Sequence, residues 1–378
     1  MKAFFFVPFV VDQRLQFTSK NELAKSFCNL GNTMSIYVGY KNKKIELDGF
    51  SEVTYKKIKY PFFSKFNLYL KIFHKIYKDR YDVIIIGASI SFLLPILLIF
   101  RNLFNKNMLL ISDIRTIPVD VADNYKKKFI EKRFSLSVRF IDFFSDGLTV
   151  ITPATLEYIK PFLKRLSDNV GIWSSGVNMK IFSKEGDNSK EILNPHNKKV
   201  LVYHGELMKS RGLDNLIYSL QILNKKNDNF LLILLGDGKD KDYLKDLVLS
   251  LKLSNNVVFI DPVSYKEVPK ILRVADCAVL PFPDVIGWSV SSPLKIMEYL
   301  SLDLRIVATD ILAHREIKNI FNSIKLAKNN KPDVLADSIE SSFRATKINM
   351  DYTLIKDNIS WESQAKNLIK YINSLENN

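Results

Sequence analysis

Short runs of apolar, often β-branched residues alternate with segments of helical periodicity along nearly the whole chain, and this alternation constrains the fold most. Such alternation is typical of parallel sheets covered by helices on both faces. We predict an α/β protein of two doubly wound, Rossmann-like domains facing across a cleft, with ligands bound at the carboxyl ends of the strands. The predicted strands are 2–7, 35–38, 82–86, 108–111, 147–151, 169–172, 199–203, 230–235, 257–260, 277–281 and 306–309. The predicted helices include 19–30, 64–78, 90–103, 213–223, 241–251 and 265–274, the last opened by a capping box at 264–267.

A polar segment at 183–197 interrupts the alternation and predicts a domain boundary. We expect an N-terminal domain over 1–180, a linker over 181–198, a C-terminal domain over 199–360 and a C-terminal helix over 361–378 that packs back on the N-terminal domain. A length of 378 residues suits two domains. The two cysteines lie far apart in sequence and form neither a disulfide nor a metal pattern, which favours a reducing compartment.

The longest uncharged stretch, 83–100, reaches the lower length limit of a membrane-spanning helix. Gly87-Ala88-Ser89 interrupts it after a β-branched run, so a buried strand, a turn and a buried helix are the favoured interpretation. The first residues, 1–7, are apolar from the start and lack a cleavage-like site, so we expect no signal peptide.

The segment 291–299 (SSPLKIMEY) predicts a helix whose N-terminus suits an anion. Ser292 is a favourable N-cap and Pro293 a favourable first helical residue. The first turn carries Lys295, and unpaired amides next to a cation are suited to phosphate. Glu298 leans toward the same terminus because helical side chains point toward the N-terminus. An ordinary capped surface helix remains the alternative interpretation.

Positive charge is concentrated in the first half of the chain. Residues 1–180 contain 28 Lys and Arg against 15 Asp and Glu, whereas the whole chain has a net charge of +15. The segments 65–80 and 125–144 combine Lys and Arg with aromatic and aliphatic residues at helical spacing, as interfacial helices on anionic lipid do. A solvated basic face over a core stripe is the alternative. No nucleic-acid-binding motif accompanies the charge, so we expect no nucleic-acid partner.

Six sequence blocks occur in an order that resembles one enzyme family. They are 113–118 (DIRTIP), 175–178 (SGVN), 205–214 (GELMKSRGLD), 235–238 (LGDG), 256–281 with its A-D-x-x-x-x-P ending, and 290–310. Together they resemble glycosyltransferase family 4 (group 1), retaining, nucleotide-sugar-dependent enzymes of the GT-B fold. The last block has S-P-L-K-x-x-E-Y in place of the family's full E-x7-E motif, as one subgroup does.

The resemblance implies a donor site for a nucleotide-diphosphate sugar. Arg211 and Glu298 take the catalytic roles: Arg211 holds the departing diphosphate and Glu298 contacts the ribose or nearby donor atoms. This chain departs from the family pattern at two positions. Val290 occupies the position of the first motif Glu, which contacts the donor sugar in the family, and Glu206 occupies the position of a family Arg in the phosphate loop. The implied donor-binding residues are Gly205, Arg211, Val263, Ser291, Ser292, Leu294, Lys295 and Glu298.

Other candidate residues have weaker signals. Asp113 and Arg115 follow a predicted strand of the acceptor-binding domain and are the candidates for positioning the acceptor. Asp240-Lys241-Asp242 spells a D-x-D pattern, but we interpret it as the start of a solvated helix and expect neither a metal nor a cofactor. His204 and His314 have no evident catalytic partner in the sequence.

We therefore expect a glycosyltransferase that moves a sugar, with retention, from a nucleotide-sugar to a lipid-linked or polysaccharide acceptor during surface glycan assembly. The expected partners are the nucleotide-diphosphate sugar, a glycan or lipid-linked acceptor and an anionic membrane surface, and the expected location is the cytoplasmic, inner face of the membrane. An epimerase or a phosphorylase fits less well, because neither the paired carboxylates and His nor a pyridoxal-binding lysine context is found. The alternative is a degenerate, non-catalytic GT-B scaffold that binds partners or membrane through its basic face.

Overall fold

A computed structural model describes residues 1–6, 18–40, 46–57, 61–117, 124–188, 193–194, 196–227 and 229–376, without the side chains of 61–68, 124–127 and 227. These residues form two compact units, which we call unit 1 (1–176 and 359–378) and unit 2 (177–358). The boundaries differ from the predicted ones. Residues 183–188 of the expected linker lie in unit 2, where the Arg273 guanidinium donates hydrogen bonds to the carbonyl oxygens of Ser183 (2.8 Å) and Asp187 (2.9 Å).

Unit 1 is built on a seven-stranded sheet in which every neighbouring pair of strands is parallel. The strand order is β3-β2-β1-β4-β5-β6-β7, so the direction of winding reverses between β1 and β4. The strands are β1 (Lys2–Phe6), β2 (Thr33–Tyr40), β3 (Glu52–Lys57), β4 (Val83–Gly87), β5 (Leu109–Ile114), β6 (Gly147–Val150) and β7 (Val170–Ile172).

Helices connect these strands as the alternation predicts. They are α1 (Thr18–Asn29), α2 (Pro61–Asp79), α3 (Leu94–Phe104), α4 (Asn124–Phe144) and α5 (Pro153–Ile159). The start of α5 shows how local sequence sets a boundary: Thr152 is the N-cap, its side chain accepts a hydrogen bond from the Thr155 amide (3.0 Å), and Pro153 occupies the first turn. After Lys2, the residues of β1 are apolar and buried, as are Val83–Ile86 of β4, which is expected for a parallel sheet covered on both faces.

Unit 2 repeats the architecture with six parallel strands in the order β10-β9-β8-β11-β12-β13. The strands are β8 (Lys199–His204), β9 (Phe230–Leu235), β10 (Val257–Ile260), β11 (Cys277–Leu280), β12 (Arg305–Thr309) and β13 (Ile324–Ala327). The helices are α6 (Leu213–Asn227), α7 (Lys241–Ser250), α8 (Val268–Leu272), α9 (Ile286–Ser289), α10 (Leu294–Ser301), α11 (Leu312–Ile320), α12 (Pro332–Arg344) and α13 (Tyr352–Ile359).

The last helix, α14 (Trp361–Glu376), belongs to unit 1 although it follows the whole of unit 2 in sequence. The Tyr371 hydroxyl accepts a hydrogen bond from the Leu148 amide (2.9 Å) and donates one to the Asn169 carbonyl oxygen (3.0 Å). A Cβ at Gly171 would lie 2.4 Å from the Tyr371 ring, so a glycine there makes room for the helix. The far end of the chain is thus anchored to β6 and to the start of β7.

The prediction of two doubly wound parallel sheets is confirmed, with differences in individual elements. Strands β3 and β13 were not predicted: β3 (EVTYKK) is polar and only half-buried, and β13 (IKLA) is short. The helix predicted over 265–274 is shorter, because Glu267 is the N-cap of α8 and its carboxylate accepts from both the amide and the hydroxyl of Ser264. The capping box is therefore only half formed.

The uncharged stretch 83–100 forms β4, a 3₁₀ helix (Ala88–Leu93) and the start of α3, as predicted. The prediction that its helix is buried is wrong, because Ile96, Ile99 and Leu103 form an exposed row on α3. Within the described ranges, no helix combines the length and the apolarity that crossing a membrane requires.

Candidate active site

The candidate site of unit 2 lies at the carboxyl end of β8, where the strand order reverses between β8 and β11. Connections leave a sheet on opposite sides at such a switch point, which opens a crevice between them. The loop after β8 and helix α10 bring Gly205, Arg211, Lys295 and Glu298 to this point. Four of the predicted donor-binding residues are therefore neighbours in the structure.

Gly205 allows Lys295 to lie directly against the backbone of the loop. Its φ is +121°, in the region that favours glycine, and a Cβ there would lie 2.6 Å from Cε of Lys295. The lysine Nζ also lies 5.9 Å from the centroid of the Tyr203 ring and 6.0 Å from that of Phe282. Any side chain at position 205 would push the ammonium group away from the loop.

Arg211 ends a short 3₁₀ helix (Lys209–Arg211) that Gly212 terminates with a φ of +71°. One guanidinium nitrogen donates to the Glu206 carboxylate at 2.8 Å, and the other lies 3.4 Å from the Tyr203 hydroxyl. The guanidinium carbon is 5.0 Å from the centroid of the Trp288 ring. Nε of Arg211 is buried and has no hydrogen-bond partner among the described residues. A buried donor without a partner is unusual, and a bound acceptor would satisfy it.

The electrostatics of this cluster favour the arrival of an anion. Burial and, next, the nearby Arg211 charge lower the pKa of Lys295 to about 8, and the Glu298 and Glu206 carboxylates oppose that shift. Burial also raises the pKa of Tyr203, although the Arg211 charge acts in the opposite direction. The two cations repel each other, and a diphosphate placed near both would relieve that repulsion.

Glu298 is buried and paired with His204, a partner that the sequence did not reveal. His204 Nε2 lies 2.8 Å from the Glu298 carboxylate, and Nδ1 lies 2.9 Å from the Tyr299 hydroxyl. A ring with its proton on Nε2 satisfies both contacts, since Nε2 donates to the carboxylate and the tyrosine donates to Nδ1. The Glu298 side chain is only 4% exposed, so this hydrogen bond orients its carboxylate.

The prediction for the start of α10 is wrong in its details. Pro293, with ψ of 68°, is the N-cap and makes no side-chain cap, so Ser292 is not the N-cap and the helix begins at Leu294. The resulting tight turn directs the Leu294 amide to the Ser292 carbonyl oxygen (2.9 Å), and this amide is therefore not available to a phosphate. The Ser291 hydroxyl donates to the Trp288 carbonyl oxygen (2.8 Å), and Val290 is buried.

Two other predicted elements lie in loops at the same edge of the sheet. Val263 is half-buried in the loop after β10. The D-x-D pattern opens α7, as predicted: Asp240 is the N-cap, and Lys241 forms ion pairs with Asp237 and Asp261. Within the described ranges, no three His, Cys, Asp or Glu side chains are grouped so that they could hold a metal ion.

His314 occupies a structural position. It is 1% exposed, its Nδ1 lies 2.7 Å from the Thr309 carbonyl oxygen, and burial lowers its pKa to about 4. The ring is therefore a neutral donor to the end of β12. A buried histidine whose one hydrogen bond holds its helix to the preceding strand occupies a structural position rather than one suited to group transfer.

In unit 1, Asp113 and Arg115 lie at the carboxyl end of β5 and just after it. Asp113 is buried and accepts a hydrogen bond from the Thr149 hydroxyl (2.9 Å), and burial raises the pKa of its carboxyl group. The Arg115 guanidinium stacks 3.5 Å from the centroid of the Trp173 ring and donates to the Trp173 carbonyl oxygen at 2.5 Å. Both residues line a cavity of ≈ 450 Å³ that is formed within this unit.

The fold is that of known GT-B glycosyltransferase structures. Anabaena HepE in complex with UDP superposes with a TM-score of 0.75 at 14% identity, over 99% of this chain and 100% of that one. Sucrose-phosphate synthase from Thermosynechococcus elongatus gives a TM-score of 0.75 at 15% identity (99% and 98% covered). WaaG, a glycosyltransferase involved in lipopolysaccharide biosynthesis, gives 0.62 at 14% identity (100% and 98% covered).

Residues 184–358 match the family model of the glycosyl transferases group 1, which agrees with the resemblance seen in the sequence. An uncharacterized glycosyltransferase of Methanocaldococcus jannaschii is 28% identical over 231 residues, 59% of this chain and 53% of the relative. A second one from the same organism is 24% identical over 216 residues, 55% of this chain and 53% of the relative. The chain thus spans about half the length of these curated relatives.

Proposed function

We propose that the protein transfers a sugar from a nucleotide-diphosphate sugar, with retention, to a lipid-linked or polysaccharide acceptor in surface glycan assembly. The observation that carries the proposal is the pair of cations, Arg211 and Lys295, beside the Gly205 loop at the switch point of a group 1 domain. Support comes from HepE, whose structures contain UDP and UDP-glucose, and from WaaG, which is involved in lipopolysaccharide biosynthesis.

In this proposal the two cations act on the leaving group. Negative charge develops on the diphosphate as the sugar bond breaks, and donors already in place stabilise that charge without reorganisation. Arg211 offers a planar fork, including the unpaired Nε, and Lys295 supplies a second charge beside Gly205. The Glu298 carboxylate, oriented by His204, accepts a hydrogen bond from a hydroxyl group of the sugar donor.

Replacing Arg211 with Ala tests the proposal. We expect donor binding and turnover to weaken together, by about tenfold or more, because a charge-assisted contact worth about 1.5–3 kcal/mol is lost. Thermal-shift titrations with UDP-, GDP-, ADP- and CMP-sugars measure binding, and release of the nucleoside diphosphate measures turnover. Arg344→Ala is the matched control, since Arg344 also pairs with a glutamate (Glu340, 2.7 Å) but is exposed at the end of helix α12. If both variants retain wild-type affinity and turnover, Arg211 is not part of the site.

A non-catalytic scaffold is the second candidate. It is favoured by the Glu206–Arg211 ion pair, because a carboxylate already neutralises the arginine, and by the apolar, buried Val290 at the position of the first motif Glu. The release assay separates the transferase from the scaffold, because a scaffold would bind a nucleotide sugar without releasing nucleoside diphosphate from any of the four donor classes.

The proposal places unit 1 on an anionic membrane surface, where a lipid-linked acceptor is found. The outer face of α4 (defined here as Lys128, Phe129, Lys132, Leu136, Arg139 and Phe143) consists of exposed residues. At 100° per residue these six side chains fall within about 100° of the helix circumference. Three cations and three large apolar groups alternate along the helix axis on this face. Such a face is typical of a helix that lies in a membrane interface. Lys126 and Lys127, predicted to share this role, lie outside the described side chains.

The exposed row on the neighbouring helix α3 extends this surface. Ile99 and Leu103 are 61% and 70% exposed, and α3 packs against α4. On the other side, the rings of Phe104 in α3 and Tyr77 in α2 are in contact at 5.0 Å between centroids, and both are half exposed. Large apolar side chains on three adjacent helices make a patch of the kind that marks an interaction surface.

A further inference from the structure

A polar cavity lies at the amino edge of the unit 2 sheet, the edge opposite the candidate active site. It has a volume of ≈ 190 Å³ and lies between the starts of β12 and β13, the end of α11, and the end of α12 with the segment that follows it. A cavity of roughly 15 Å³ holds one water molecule, so this one has room for a polyatomic ion. The segments that line it, 304–306, 318–325 and 341–348, belong to a stretch that the structure describes without a gap.

The ionisable side chains that line this cavity are all cationic. They are Arg305, Lys318, Lys325 and Lys347. The Asp303 carboxylate, which lies next to the cavity in sequence, is already engaged, because it accepts hydrogen bonds from Lys347 Nζ and from the Met350 amide, both at 3.0 Å. The other three cations have no carboxylate partner among the described residues. The cavity therefore presents positive charge that the surrounding side chains leave uncompensated.

The strand register directs Arg305 and Lys325 to the same face of the sheet. Val307 of β12 is paired with Lys325 of β13, and directly paired residues project to the same face, as does Arg305 two positions before Val307. On this face Arg305 Nη1 donates to the carbonyl oxygens of Ser342 (2.7 Å) and Ala345 (2.9 Å) at the end of α12. Its Nε and Nη2 have no hydrogen-bond partner within the described ranges. The guanidinium is thus held in place with donors left for a ligand.

The remaining groups of the cavity wall can also donate hydrogen bonds. Lys318 Nζ donates to the Ile324 carbonyl oxygen (2.8 Å), which holds the ammonium group at the start of β13. The side chains of Asn322 and Thr346 line the cavity, and neither forms a hydrogen bond with the part of the chain that the structure describes. Cations beside uncommitted amide and hydroxyl groups suit a phosphate, because its oxygens accept hydrogen bonds from all of them.

We infer that this cavity binds a phosphate group, with the phosphate oxygens against Arg305, Lys318 and Lys325. A phosphate monoester carries a charge of about −1.5 to −2 near pH 7, so it compensates these cations better than a single carboxylate does. The inference goes beyond the proposed function and does not depend on it, since the cavity and the candidate active site lie at opposite edges of the same sheet. Inorganic phosphate and a sugar phosphate share this chemistry, and the test separates them.

The test is methyl NMR of the full chain labelled with ¹³C-methyl methionine. The chain has seven methionines. Met350 is the local reporter, because its Sδ accepts a hydrogen bond (3.5 Å) from the hydroxyl of Ser323, which lines the cavity. Met208 directly precedes the 3₁₀ helix that carries Arg211, so it reports on the candidate active site. Single Met→Leu variants assign the two resonances. Sodium phosphate, glucose 6-phosphate and glucose are titrated at one ionic strength, which sodium chloride keeps constant.

We expect phosphate and glucose 6-phosphate to shift the Met350 resonance saturably and glucose to leave it unchanged. Lys325→Gln should weaken the phosphate response about fourfold or more, because one charged contact is lost. Lys328→Gln is the matched control and should remain within twofold of wild type, since it removes the same charge from an exposed residue just past the other end of β13. Both lysines are exposed, so neither variant is expected to unfold the protein. Tighter binding of glucose 6-phosphate than of phosphate identifies a sugar phosphate as the ligand, and the reverse order identifies the free ion.

Three results would overturn the inference. The first is a shift of Met208 without a shift of Met350, which would mean that phosphate binds only at the candidate active site. The second is an equal weakening by Lys325→Gln and Lys328→Gln, which would reflect the general charge of the protein. The third is a shift of Met350 by sodium chloride alone that equals the shift by phosphate. Failure of the proposed function would look different: no nucleotide sugar would release nucleoside diphosphate, while the Met350 response to phosphate persists.

Discussion

Arg211 and Lys295 place two positive charges beside the same loop, and each is compensated differently. The Glu206 carboxylate, 2.8 Å away, pairs with Arg211, whereas Lys295 is half-buried against Gly205 and responds with a lowered pKa. Glu206 stands where the resembling family has an arginine, so a carboxylate lies beside the arginine that would hold the diphosphate in the proposed function. Under that proposal a donor diphosphate competes with Glu206 for Arg211, whereas Lys295 has no carboxylate at hydrogen-bond distance among the described residues.

The charge of Lys295 leads to a prediction about pH. Its pKa of about 8 means that the ammonium form is lost as pH rises through that value. A bound anion stabilises the charged form, so donor affinity should fall by up to about tenfold between pH 7 and pH 9. Lys295→Arg keeps its charge throughout this range and should bind with little dependence on pH. Isothermal titration with the preferred nucleotide sugar measures the donor affinity of the wild type and of Lys295→Arg at each pH. If the affinities of the two proteins depend on pH in the same way, the prediction is wrong.

The residues around Glu298 show which parts of the candidate site can be predicted from the sequence. The Glu was identified from a motif, and its location beside the Gly205 loop agrees with the expected neighbourhood. His204 and Tyr299 were not paired with it, because Glu298 is 94 positions from His204 and only the parallel pairing of β8 with β11 brings that strand end near α10. A histidine at the end of a strand has no local signal that names its partner.

At the scale of elements, α4 has one face that is exposed and one that lines a cavity. Lys128, Phe129, Lys132, Leu136, Arg139 and Phe143 form its outer face, and Ile130, Arg133, Phe134 and Ser137 line the cavity. From the sequence, the segment 125–144 was treated as one basic and apolar stretch, because charges were counted along the chain rather than around the helix.

We predict that the outer face of α4 controls membrane association. The protein should sediment with phosphatidylglycerol vesicles but not with phosphatidylcholine vesicles, and high salt should release it, since each basic residue contributes about 1 kcal/mol near an anionic surface. The triple variant Lys128→Gln, Lys132→Gln, Arg139→Gln should lose binding. Phe129→Ser, Leu136→Ser, Phe143→Ser should weaken binding at every salt concentration, because apolar side chains no longer enter the interface.

The matched control for these variants lies in unit 2. Lys245→Gln, Lys266→Gln, Lys270→Gln removes the same charge from exposed positions and should bind vesicles as wild type does. Sedimentation that depends neither on salt nor on lipid charge would show that the basic residues of α4 are not responsible.

At the scale of the whole molecule, the chain leaves unit 1 after Gly176 and returns to it at Ile359. The helix α14 is held there by the buried Tyr371 hydroxyl, whose pKa burial raises to about 12. This hydroxyl bridges the backbone of β6 and the residue before β7, so the stability of unit 1 depends on a helix that follows the whole of unit 2 in the sequence.

Tyr371→Phe should therefore destabilise unit 1 by about 1–3 kcal/mol, because the Leu148 amide and the Asn169 carbonyl lose a buried partner. Hydrogen exchange of β6 and β7 measures the effect. Tyr352→Phe is the matched control: its hydroxyl donates to the Ser301 carbonyl oxygen (3.0 Å) in unit 2, and its loss should speed exchange near α10 and α13 instead. Unchanged protection of the Leu148 amide in Tyr371→Phe would refute the role given to this contact.

The sequence by itself determined the alternation of strands and helices, the two doubly wound sheets and the group 1 motifs, because periodicity and turn residues act within a few positions of one another. Only the tertiary structure decided which face of α3 is exposed, which side of α4 lines the cavity, that Leu294 donates to Ser292 and that His204 holds Glu298. A short apolar run specifies that a segment is ordered and has a buried face. It does not specify what lies opposite that face, since strand order and pairing bring together residues that are distant in the chain.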